Sequence, residues 1–503
     1  MKRYFIQILV ITALLVTYSC KDAWEDYTEV DESTAAGNCL EVLESLSDYS
    51  NFVTALKSTG LADTLSQSLM YTVWAPSNTV FTNVTDDQEE LYQLVANHIN
   101  KGNIKINSLN GYARAKMING KVMTVTNSNI EGVGYATNDL VTQNGVIQFI
   151  DGVLELEQNI WEYIDGYSGT NKHIEYINSL SGDVFDEEVA TIVGYTDAGQ
   201  AIYDTVSGMV WKNMFLENVA DLRAEDSTYT VLILDDAGFD SEYEKFKSYF
   251  IVTPGVSDED LLLNKASVQY KVTKDFVFTS TFNSTDIPTQ LLSVDSIMVP
   301  VDKSLITSSV KCSNGWVHHI QTCDIPLQNK ILPIIVEAES VERYFDNFTI
   351  NGEDAVGSPA GNKRVKPDAS GGFDYVLDNW NTSVVCDGLI IHAGEVASTK
   401  YKFYWKAVDD FNYSIRYSSS SDTLRQKLGY TFLLEENSGV YDFNSMFTVS
   451  DYIEVLDSTY TTAPEVEVGS TSFNTIRDIY VWLQSETRSA VVADYIKLVP
   501  DFE

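Results

Sequence analysis

Cysteine and histidine are scarce in this chain, which has only five of each among 503 residues. The cysteines are Cys20, Cys39, Cys312, Cys323 and Cys386. No CxxC motif and no Cys/His zinc spacing occurs among them, so the pattern predicts no zinc site. Cys312 and Cys323 could pair, but a tight turn at Asn314-Gly315 would place Cys312 opposite Val317 instead. The disulfide question stays open, and buried free thiols are the expected state.

Basic residues are also few, with 33 Lys and Arg against 72 Asp and Glu, which gives a net charge of −39. A surface this acidic repels phosphate backbones, so the composition argues against nucleic acid as a partner. The charge also favours solubility.

Long apolar runs are missing, apart from a short one at the start of the chain. Met1-Lys2-Arg3 precedes an apolar run over residues 4–16, which is shorter than the ~20 residues that a membrane-spanning helix needs. The charge, the apolar core and the small Ser19 predict a secretory signal over residues 1–19. Cys20 then stands where a bacterial lipobox has its lipidated cysteine, although Thr17 and Tyr18 depart from that motif.

We therefore expect lipidation at Cys20, with simple secretion and a free thiol as the alternative. Residues 20–37 are polar and acidic and are expected to form a flexible tether. The acidic stretch behind Cys20 resembles the surface-export signal of Gram-negative gut and oral lipoproteins. This resemblance implies a protein held by lipid on the outer face of the outer membrane.

The length suggests three or four domains of roughly 150 residues each. With 44% hydrophobic and 12% aromatic residues, the chain has ample material for packed cores.

Two stretches of the first third carry the strongest pattern. Residues 71–81 read YTVWAPSNTVF, an apolar strand that Pro76 ends before Ser77 and Asn78, which are good N-cap residues for a helix. Residues 144–154 read NGVIQFIDGVL, in which Asn144-Gly145 suits a type I′ hairpin turn before another apolar strand. The sequence therefore predicts a strand-turn-helix unit and a hairpin.

Together these stretches resemble the two signature boxes of the fasciclin domain, an extracellular adhesion and binding module. The resemblance covers residues 38–156, called the first copy below, and implies an α+β fold. It also includes His98 near the end of a predicted helix, where a structural hydrogen-bonding role is expected.

Residues 157–330, called the second copy, resemble a degenerate repeat of the same domain. Residues 229–239 read YTVLILDDAGF, which keeps the strand and the closing phenylalanine but replaces Pro-Ser with Asp235-Asp236. Residues 313–320 read SNGWVHHI and keep the Asn-Gly pair before an apolar strand. We therefore expect tandem fasciclin-like domains.

Residues 331–503, called the C-terminal region, lose the helical pattern. Short alternating runs separated by Gly, Ser and Asn predict an all-β, jelly-roll-like sandwich. The opening IVEAE (residues 335–339) and the closing ADYIKL (residues 493–498) resemble the ends of family 6-type carbohydrate-binding modules. That resemblance implies that Glu337, Glu339 and Asp494 hold a structural calcium ion, since Ca²⁺ takes carboxylate oxygens.

Aromatic residues of the C-terminal region are candidates for stacking on sugar rings. Trp380, Tyr375 and Trp405 are the predicted ligand-binding residues, with Trp380 the best candidate because its surroundings resemble a loop. Trp405 alternates with Tyr404, so one side of that strand is expected to face the core. A place in the core is at least as good an interpretation for Trp380 as well.

Motifs for catalysis are not found, and no catalytic residue is predicted. The sequence contains no HExxH, GxSxG, P-loop or EF-hand pattern. His318 and His319 are adjacent on a predicted strand and point to opposite faces, so they are poorly placed to share a metal. Acidic runs such as residues 186–188 are expected to be solvated surface rather than a glycosidase pair.

The sequence predicts a non-catalytic cell-surface lipoprotein for binding or assembly. Its make-up resembles the accessory surface proteins of starch-utilisation (Sus-type) transporter and lid pairs, which implies a role in an outer-membrane nutrient uptake complex with a glycan or peptide ligand. The alternative is an adhesion protein that binds host or matrix glycans or proteins. A glycan-active enzyme is the remaining class.

Overall fold

A computed structural model describes most of the chain in two compact units. It covers residues 37–67, 69–82, 85–340, 343–345, 361–377, 388–407, 426–434, 453–456, 465–485 and 491–502. The first unit runs to Gly166 and includes residues 222–229 and 311–316, and the second holds the rest of the chain. Within the described ranges, no helix combines the length and hydropathy that a membrane crossing requires.

The helices of the first copy cover one side of its sheet. Asn38 begins the first helix with a capping box. Its side chain accepts a hydrogen bond from the Glu41 backbone amide, and the Glu41 carboxylate accepts one from the Asn38 backbone amide. Asp87 caps the last helix through the Glu89 and Glu90 amides. The helices are α1 Cys39–Glu44, α2 Ser50–Ser58, α3 Leu61–Leu65 and α4 Gln88–Ala96.

A seven-stranded sheet forms the centre of the first copy, in the order β2-β1-β7-β6-β5-β4-β3. Its two predicted boxes are adjacent parallel strands, with Tyr71 opposite Gly145 and Pro76 opposite Ile150. Both strands are buried along their whole length, because one face meets the helices and the other meets β3–β5. The strands are β1 Tyr71–Pro76, β2 Ile99–Lys101, β3 Tyr112–Lys116, β4 Val122–Thr126, β5 Asn129–Ile130, β6 Val133–Thr142 and β7 Gly145–Ile150.

The segment after Pro76 is a turn, so the helix predicted there is wrong. The Phe81 amide donates to Ser77 O at 2.8 Å, which closes a single turn. Asn78 serves the neighbouring helices instead of a new one. Its amide donates to Asp48 O at 2.7 Å and its side chain accepts from the Asn51 amide at 2.9 Å. Tertiary hydrogen bonds therefore replace the predicted helix cap.

The hairpin between β6 and β7 also differs from the prediction by one residue. Thr142 pairs with Gly145, so the turn consists of Gln143 and Asn144, and Gly145 is already in the strand. Asn144 has a negative φ, which excludes a type I′ turn. The Asn144 side chain instead joins the turn to the helices, because its Nδ2 donates to Leu65 O at 2.7 Å and its Oδ1 accepts from the Cys39 amide at 2.8 Å.

The second copy repeats this bonding pattern at its own Asn-Gly pair. Asn314 Nδ2 donates to Leu222 O at 2.8 Å, and its Oδ1 accepts from the Ile160 amide at 2.9 Å. Asn159 and Glu162 form the capping box that corresponds to the one at Asn38. Residues 157–330 therefore repeat part of the hydrogen-bonding pattern of residues 38–156.

Threonine hydroxyls provide a second repeated pattern. Thr72 Oγ1 donates to Gly102 O and accepts from the Ile104 amide, both at 2.8 Å. Thr230 Oγ1 donates to Ser280 O at 2.6 Å and accepts from the Phe282 amide at 3.0 Å. A four-stranded sheet accordingly matches the order β2-β1-β7-β6 with the strands Val277–Phe278, Tyr229–Leu234, Gly315–Ile320 and Ile306–Cys312.

The second copy contains six helices and an insertion. Asp235 caps the helix after β12, so the strand-turn-helix unit predicted for the first copy is present in the second. The helices are α5 Ile160–Asp165, α6 Lys172–Ser179, α7 Met214–Asn218, α8 Asp236–Phe246, α9 Asp258–Thr273 and α10 Leu327–Lys330. The strands are β8 Ser181–Phe185, β9 Ile192–Tyr195, β10 Ala201–Tyr203, β11 Met209–Asn213, β12 Tyr229–Leu234, β13 Val277–Phe278, β14 Gln290–Leu292, β15 Met298–Pro300, β16 Ile306–Cys312 and β17 Gly315–Ile320.

The described part of the C-terminal region is β-rich, as predicted, with short 3₁₀ turns between its strands. It forms a four-stranded sheet β18-β29-β23-β26, a five-stranded sheet β19-β22-β27-β24-β25 and a three-stranded sheet β20-β21-β28. The strands are β18 Ile334–Glu337, β19 Arg343–Phe345, β20 Gly361–Val365, β21 Phe373–Leu377, β22 Gly388–Val396, β23 Lys400–Lys406, β24 Gln426–Leu434, β25 Ile453–Leu456, β26 Val466–Ser472, β27 Arg477–Ser485, β28 Val491–Ala493 and β29 Tyr495–Asp501.

The second copy and the C-terminal region share one apolar core inside the second unit, which includes Phe246, Ile331 and Tyr401. Backbone bonds join the two parts. The Ser398 amide donates to Tyr249 O at 2.8 Å, and the Ile476 amide donates to Ile251 O at 2.6 Å.

Candidate functional site

Two of the three acidic residues predicted to bind calcium, Glu337 and Asp494, lie near each other in the C-terminal region, and Glu339 is two residues beyond Glu337 in the chain. Glu337 ends β18, Glu339 lies in the following 3₁₀ turn, and Asp494 lies between β28 and β29. The Ala338 amide donates to Asp494 O at 2.8 Å, which fixes the two chain ends side by side. We call these three residues the carboxylate cluster.

Ser370 bridges two members of the carboxylate cluster. Its amide donates to Asp494 Oδ1 at 2.9 Å, and its hydroxyl donates to Glu337 Oε1 at 2.6 Å. Neither this serine nor Lys406, whose Nζ lies 3.6 Å from Asp494 Oδ2, was singled out from the sequence. No local pattern could have found them, because Ser370 is 124 residues from Asp494 in the chain.

Each carboxylate of the cluster keeps one oxygen that is buried and has no hydrogen-bond partner: Glu337 Oε2, Glu339 Oε2 and Asp494 Oδ2. Burial raises the pKa of Asp494, and the nearby Glu337 adds to the rise while Lys406 opposes it. Unpartnered buried carboxylate oxygens are costly unless a cation meets them.

Hard oxygen donors of this kind suit Ca²⁺. Their arrangement is less favourable, because among the described residues no group of three or more His, Cys, Asp or Glu is placed to hold a metal ion. The donor chemistry therefore fits calcium, whereas the side-chain positions leave Lys406 as the cation nearest to Asp494. Bound as a structural ion, calcium would supply positive charge to Glu337 Oε2 and Glu339 Oε2, which have no hydrogen-bond partner.

Two of the predicted ligand-binding aromatics belong to the core. Trp405 is fully buried and Tyr375 is 4% exposed, so neither ring offers a face to a ligand. Tyr401, Phe403 and Trp405 share the buried side of β23, as strand alternation requires. The assignment of Trp405 and Tyr375 to a sugar platform is therefore replaced by a packing role. Trp380 lies outside the described residues, and so do the lipidation candidate Cys20 and Cys386.

The histidines and cysteines of the two copies have structural surroundings. His98 is fully buried, with Nδ1 2.8 Å from Leu94 O and Nε2 accepting from the Leu154 amide at 3.0 Å, which confirms its predicted role. Burial lowers its pKa to about 4. His318 is buried and His319 half-buried. Cys39, Cys312 and Cys323 are buried free thiols, as expected.

A groove of about 680 Å³ lies between α6, α8 and α9 of the second copy. Tyr176 and Tyr243 line it, with the core residue Phe239 beneath, and Lys172 and Asp240 form an ion pair of 2.5 Å at its wall. This volume is in the range of ligand sites. Its mixed charges and aromatic lining suit a polar ligand with apolar faces, such as a sugar or a peptide.

Comparison with known proteins gives one family match and several distant similarities. The fasciclin domain model matches residues 47–156. The transforming growth factor-beta-induced protein ig-h3 of pig (Sus scrofa) is 26% identical over 135 residues, a match that spans 24% of this chain and 20% of the pig protein.

Among solved structures, a FAS1 domain pair from the insect cell adhesion molecule fasciclin I covers 57% of this chain and 99% of its own, with 15% identity and a TM-score of 0.21. A Paenibacillus xanthan lyase covers 37% of this chain and 15% of its own, with 15% identity and a TM-score of 0.23. The family assignment does not depend on these two structures. It follows from the model match and from the two buried parallel strands that carry the signature boxes: residues 47–156 of this chain form a fasciclin domain.

Proposed function

We propose that the protein is a non-catalytic cell-surface lipoprotein that binds or assembles with other macromolecules. The fasciclin domain at residues 47–156 carries this proposal, because domains of this family are linked to cell adhesion. The groove between α6, α8 and α9 adds a surface of suitable size for a glycan or a peptide.

Two settings are proposed for this binding role, and two experiments separate them. In the first, the protein is an accessory of an outer-membrane transporter and lid pair. In the second, it attaches cells to host or matrix glycans or proteins. A detergent pull-down of the native lipoprotein with mass spectrometry should recover transporter and lid in fixed ratio in the first setting. Binding of intact cells to glycan and matrix-protein arrays, lost on deletion of the gene, is expected in the second.

Enzymatic activity of the protein on a glycan would contradict the proposal. The distinguishing result is turnover of a glycan that disappears when one particular carboxylate pair is changed, since glycosidases need two facing carboxylates.

Anchoring at Cys20 gives a direct prediction. The Cys20→Ala variant should lose incorporation of labelled fatty acid and leave the membrane fraction, because the lipobox resemblance makes the Cys20 thiol the attachment point for the lipid. The Cys39→Ala variant is the matched control and should keep both, since Cys39 is buried against Thr142. Protease treatment of intact cells reports exposure on the outer face. Lipid label retained in Cys20→Ala would show that the lipid is attached to another residue.

We also propose that the carboxylate cluster holds a structural calcium ion. Adding Ca²⁺ to chelator-treated protein should raise the unfolding temperature by several degrees, the size expected when an ion at about 100 times its Kd stabilises the folded state. Asp494→Asn should abolish the rise. The response should shrink at acidic pH, because the raised pKa of Asp494 makes protons better competitors of the ion.

General screening of the −39 charge is the main alternative cause of such a rise. Asp324→Asn serves as the control, since the Asp324 side chain is 92% exposed and the substitution removes the same charge. A Ca²⁺ effect that is equal in wild type and Asp494→Asn would rule out the site and leave Lys406 as the counter-charge of Asp494.

A further inference from the structure

The second copy contains an insertion that the first copy lacks. In the first copy, α2 ends at Ser58 and α3 begins at Leu61. In the second copy, the corresponding helix α6 ends at Ser179, and α7 begins only at Met214. Two antiparallel strand pairs fill the link between them. Residues 181–213 are called the β-arm. The repeated fold closes without it in the first copy, so the β-arm is not needed to build the fold.

The β-arm contains two antiparallel strand pairs. The inner pair, β9 and β10, is a hairpin that lies in the chain between the outer strands β8 and β11. The Asp204 amide extends the inner pair by donating to Thr191 O at 2.8 Å. Phe185 of the outer pair meets Tyr203 of the inner pair edge-on, with ring centroids 6.2 Å apart. Asp186 and Lys212 add an ion pair of 2.9 Å.

Large apolar side chains are concentrated on this small element. Of the 24 that are exposed in the described part of the chain, ten lie in the β-arm. Val193 and Tyr195 are 63% and 67% exposed, and Val206 is 80% exposed. Exposed apolar surface at this density marks a binding surface on a soluble protein.

The apolar residues follow the period of a strand. Val193 and Tyr195 are two residues apart on β9 and therefore point to the same side. Met209 and Trp211 are likewise two apart on β11, with Phe185 directly opposite Met209. Rows of this spacing, about 7 Å between successive side chains, match every second residue of an extended segment.

Backbone edges are also open. Both sheets of the β-arm contain two strands, so in the described residues each strand pairs on one side only. An open edge offers N–H and C=O groups to an added strand, and two-stranded ribbons are marginally stable by themselves.

Charge decides the chemistry of the partner. The β-arm has six carboxylates, Asp183, Asp186, Glu187, Glu188, Asp197 and Asp204, against the single Lys212, so its net charge is −5 (one minus six). A second copy of the chain would bring an equally acidic arm and a total of −39, which opposes self-association. A cationic partner is attracted.

We infer that the β-arm binds an extended, lysine- or arginine-rich segment of another protein in which basic and apolar residues alternate. The segment adds to an open edge, places its apolar residues on the rows of the arm, and sets its basic residues against the carboxylates. This recognition is independent of the lipid anchor at Cys20 and of the fasciclin domain.

The test is a fluorescence anisotropy titration of the full chain with a labelled peptide that alternates lysine with valine and tyrosine. Binding should weaken roughly tenfold in the double variant Val193→Ser, Tyr195→Ser, a modest effect for loss of two apolar contacts. It should also weaken with added salt. Hydrogen exchange with and without peptide should show protection of amides in residues 181–213. Both replaced side chains are exposed, so the variant should fold normally.

Two controls separate recognition from attraction to a −39 chain. The double variant Val256→Ser, Val365→Ser removes residues that are 87% and 76% exposed outside the β-arm, and it should bind like wild type. A peptide with the same composition but grouped lysines should bind weakly. Equal affinity of both double variants, protection elsewhere, or tight binding of the grouped peptide would overturn the inference. Sedimentation showing a dimer that the arm variant dissociates would replace the basic partner with a second copy.

Discussion

Replacing Gly145 with alanine should destabilise the sheet of the fasciclin domain by at least about 3 kcal/mol, among the larger effects of single substitutions. Gly145 has a φ of 152°, and a Cβ there would lie 1.9 Å from Tyr71 O and 2.8 Å from Tyr71 C. These are backbone atoms of the adjacent parallel strand, so no side-chain rotation relieves the collision. β1 and β7 would have to separate at the point where both are fully buried.

Hydrogen exchange of β1 and β7 amides in the full chain measures this loss, since a multi-unit chain need not unfold in one step. Gly120→Ala is the matched control. Its φ is 91° and nothing lies within 4 Å of the added Cβ, so only the backbone strain of about 1–2 kcal/mol remains. Gly315→Ala should behave like Gly145→Ala, because its Cβ would lie 1.8 Å from Tyr229 O. Equal losses at Gly145 and Gly120 would show that the close approach is unimportant.

The same glycine shows how far the sequence could predict the fold. The strands of both boxes follow from their apolar residues, and the structure contains them at residues 71–76 and 145–150. The Asn-Gly pair, however, predicts a turn from local chemistry, whereas the need for glycine comes from Tyr71, far earlier in the chain. Likewise, Asn78 could cap a helix locally but instead bonds to Asp48 and Asn51. Long-range contacts decided both cases.

The candidate site was also only partly predictable, because long-range contacts place several of its residues. The resemblance of the two ends of the C-terminal region brings Glu337, Glu339 and Asp494 together, but not the positions of Ser370 and Lys406. Alternation in β23 predicts one buried side, yet the pattern does not say that Trp405 is on it. The β-arm was missed because its short strands are broken by acidic turns such as residues 186–188. The alternation over residues 192–195 and 209–213 was the available signal.

The second prediction with a large effect concerns a buried ion pair in the second unit. Lys330 ends α10, and its ammonium bonds to the Asp275 carboxylate and to Lys271 O. Their side chains are 3% and 0% exposed. The ammonium also lies 5.2 Å from the centre of the Phe246 ring. Burial lowers the pKa of Lys330 and raises that of Asp275, and each partner opposes the shift of the other.

Lys330→Met should destabilise the second unit by roughly 3–5 kcal/mol, because it leaves the Asp275 charge buried without a partner. The double variant Lys330→Met, Asp275→Leu should recover most of that loss, since a buried pair often exchanges for apolar residues at little cost. Hydrogen exchange of the α9 amides provides the measurement. Lys172→Met, which breaks the solvent-exposed pair with Asp240, should destabilise the second unit far less than Lys330→Met does.

The destabilisation caused by Lys330→Met should depend on pH, because it comes from the buried charge of Asp275. In Lys330→Met, the pKa of Asp275 rises further above its unfolded value, because burial is no longer opposed by the ammonium. A carboxyl with a raised folded pKa carries no penalty below its unfolded pKa and the full penalty above its folded one. The loss should therefore be small at acidic pH and should grow as the pH rises through the raised folded pKa of Asp275. Because Lys271 also pairs with Glu395 of β22 at 2.7 Å, the same variant should loosen the amides of β22. A loss independent of pH, or a double variant no better than the single one, would mean that packing of the Lys330 side chain on Phe246, and not the buried charge, holds this part of the second unit together.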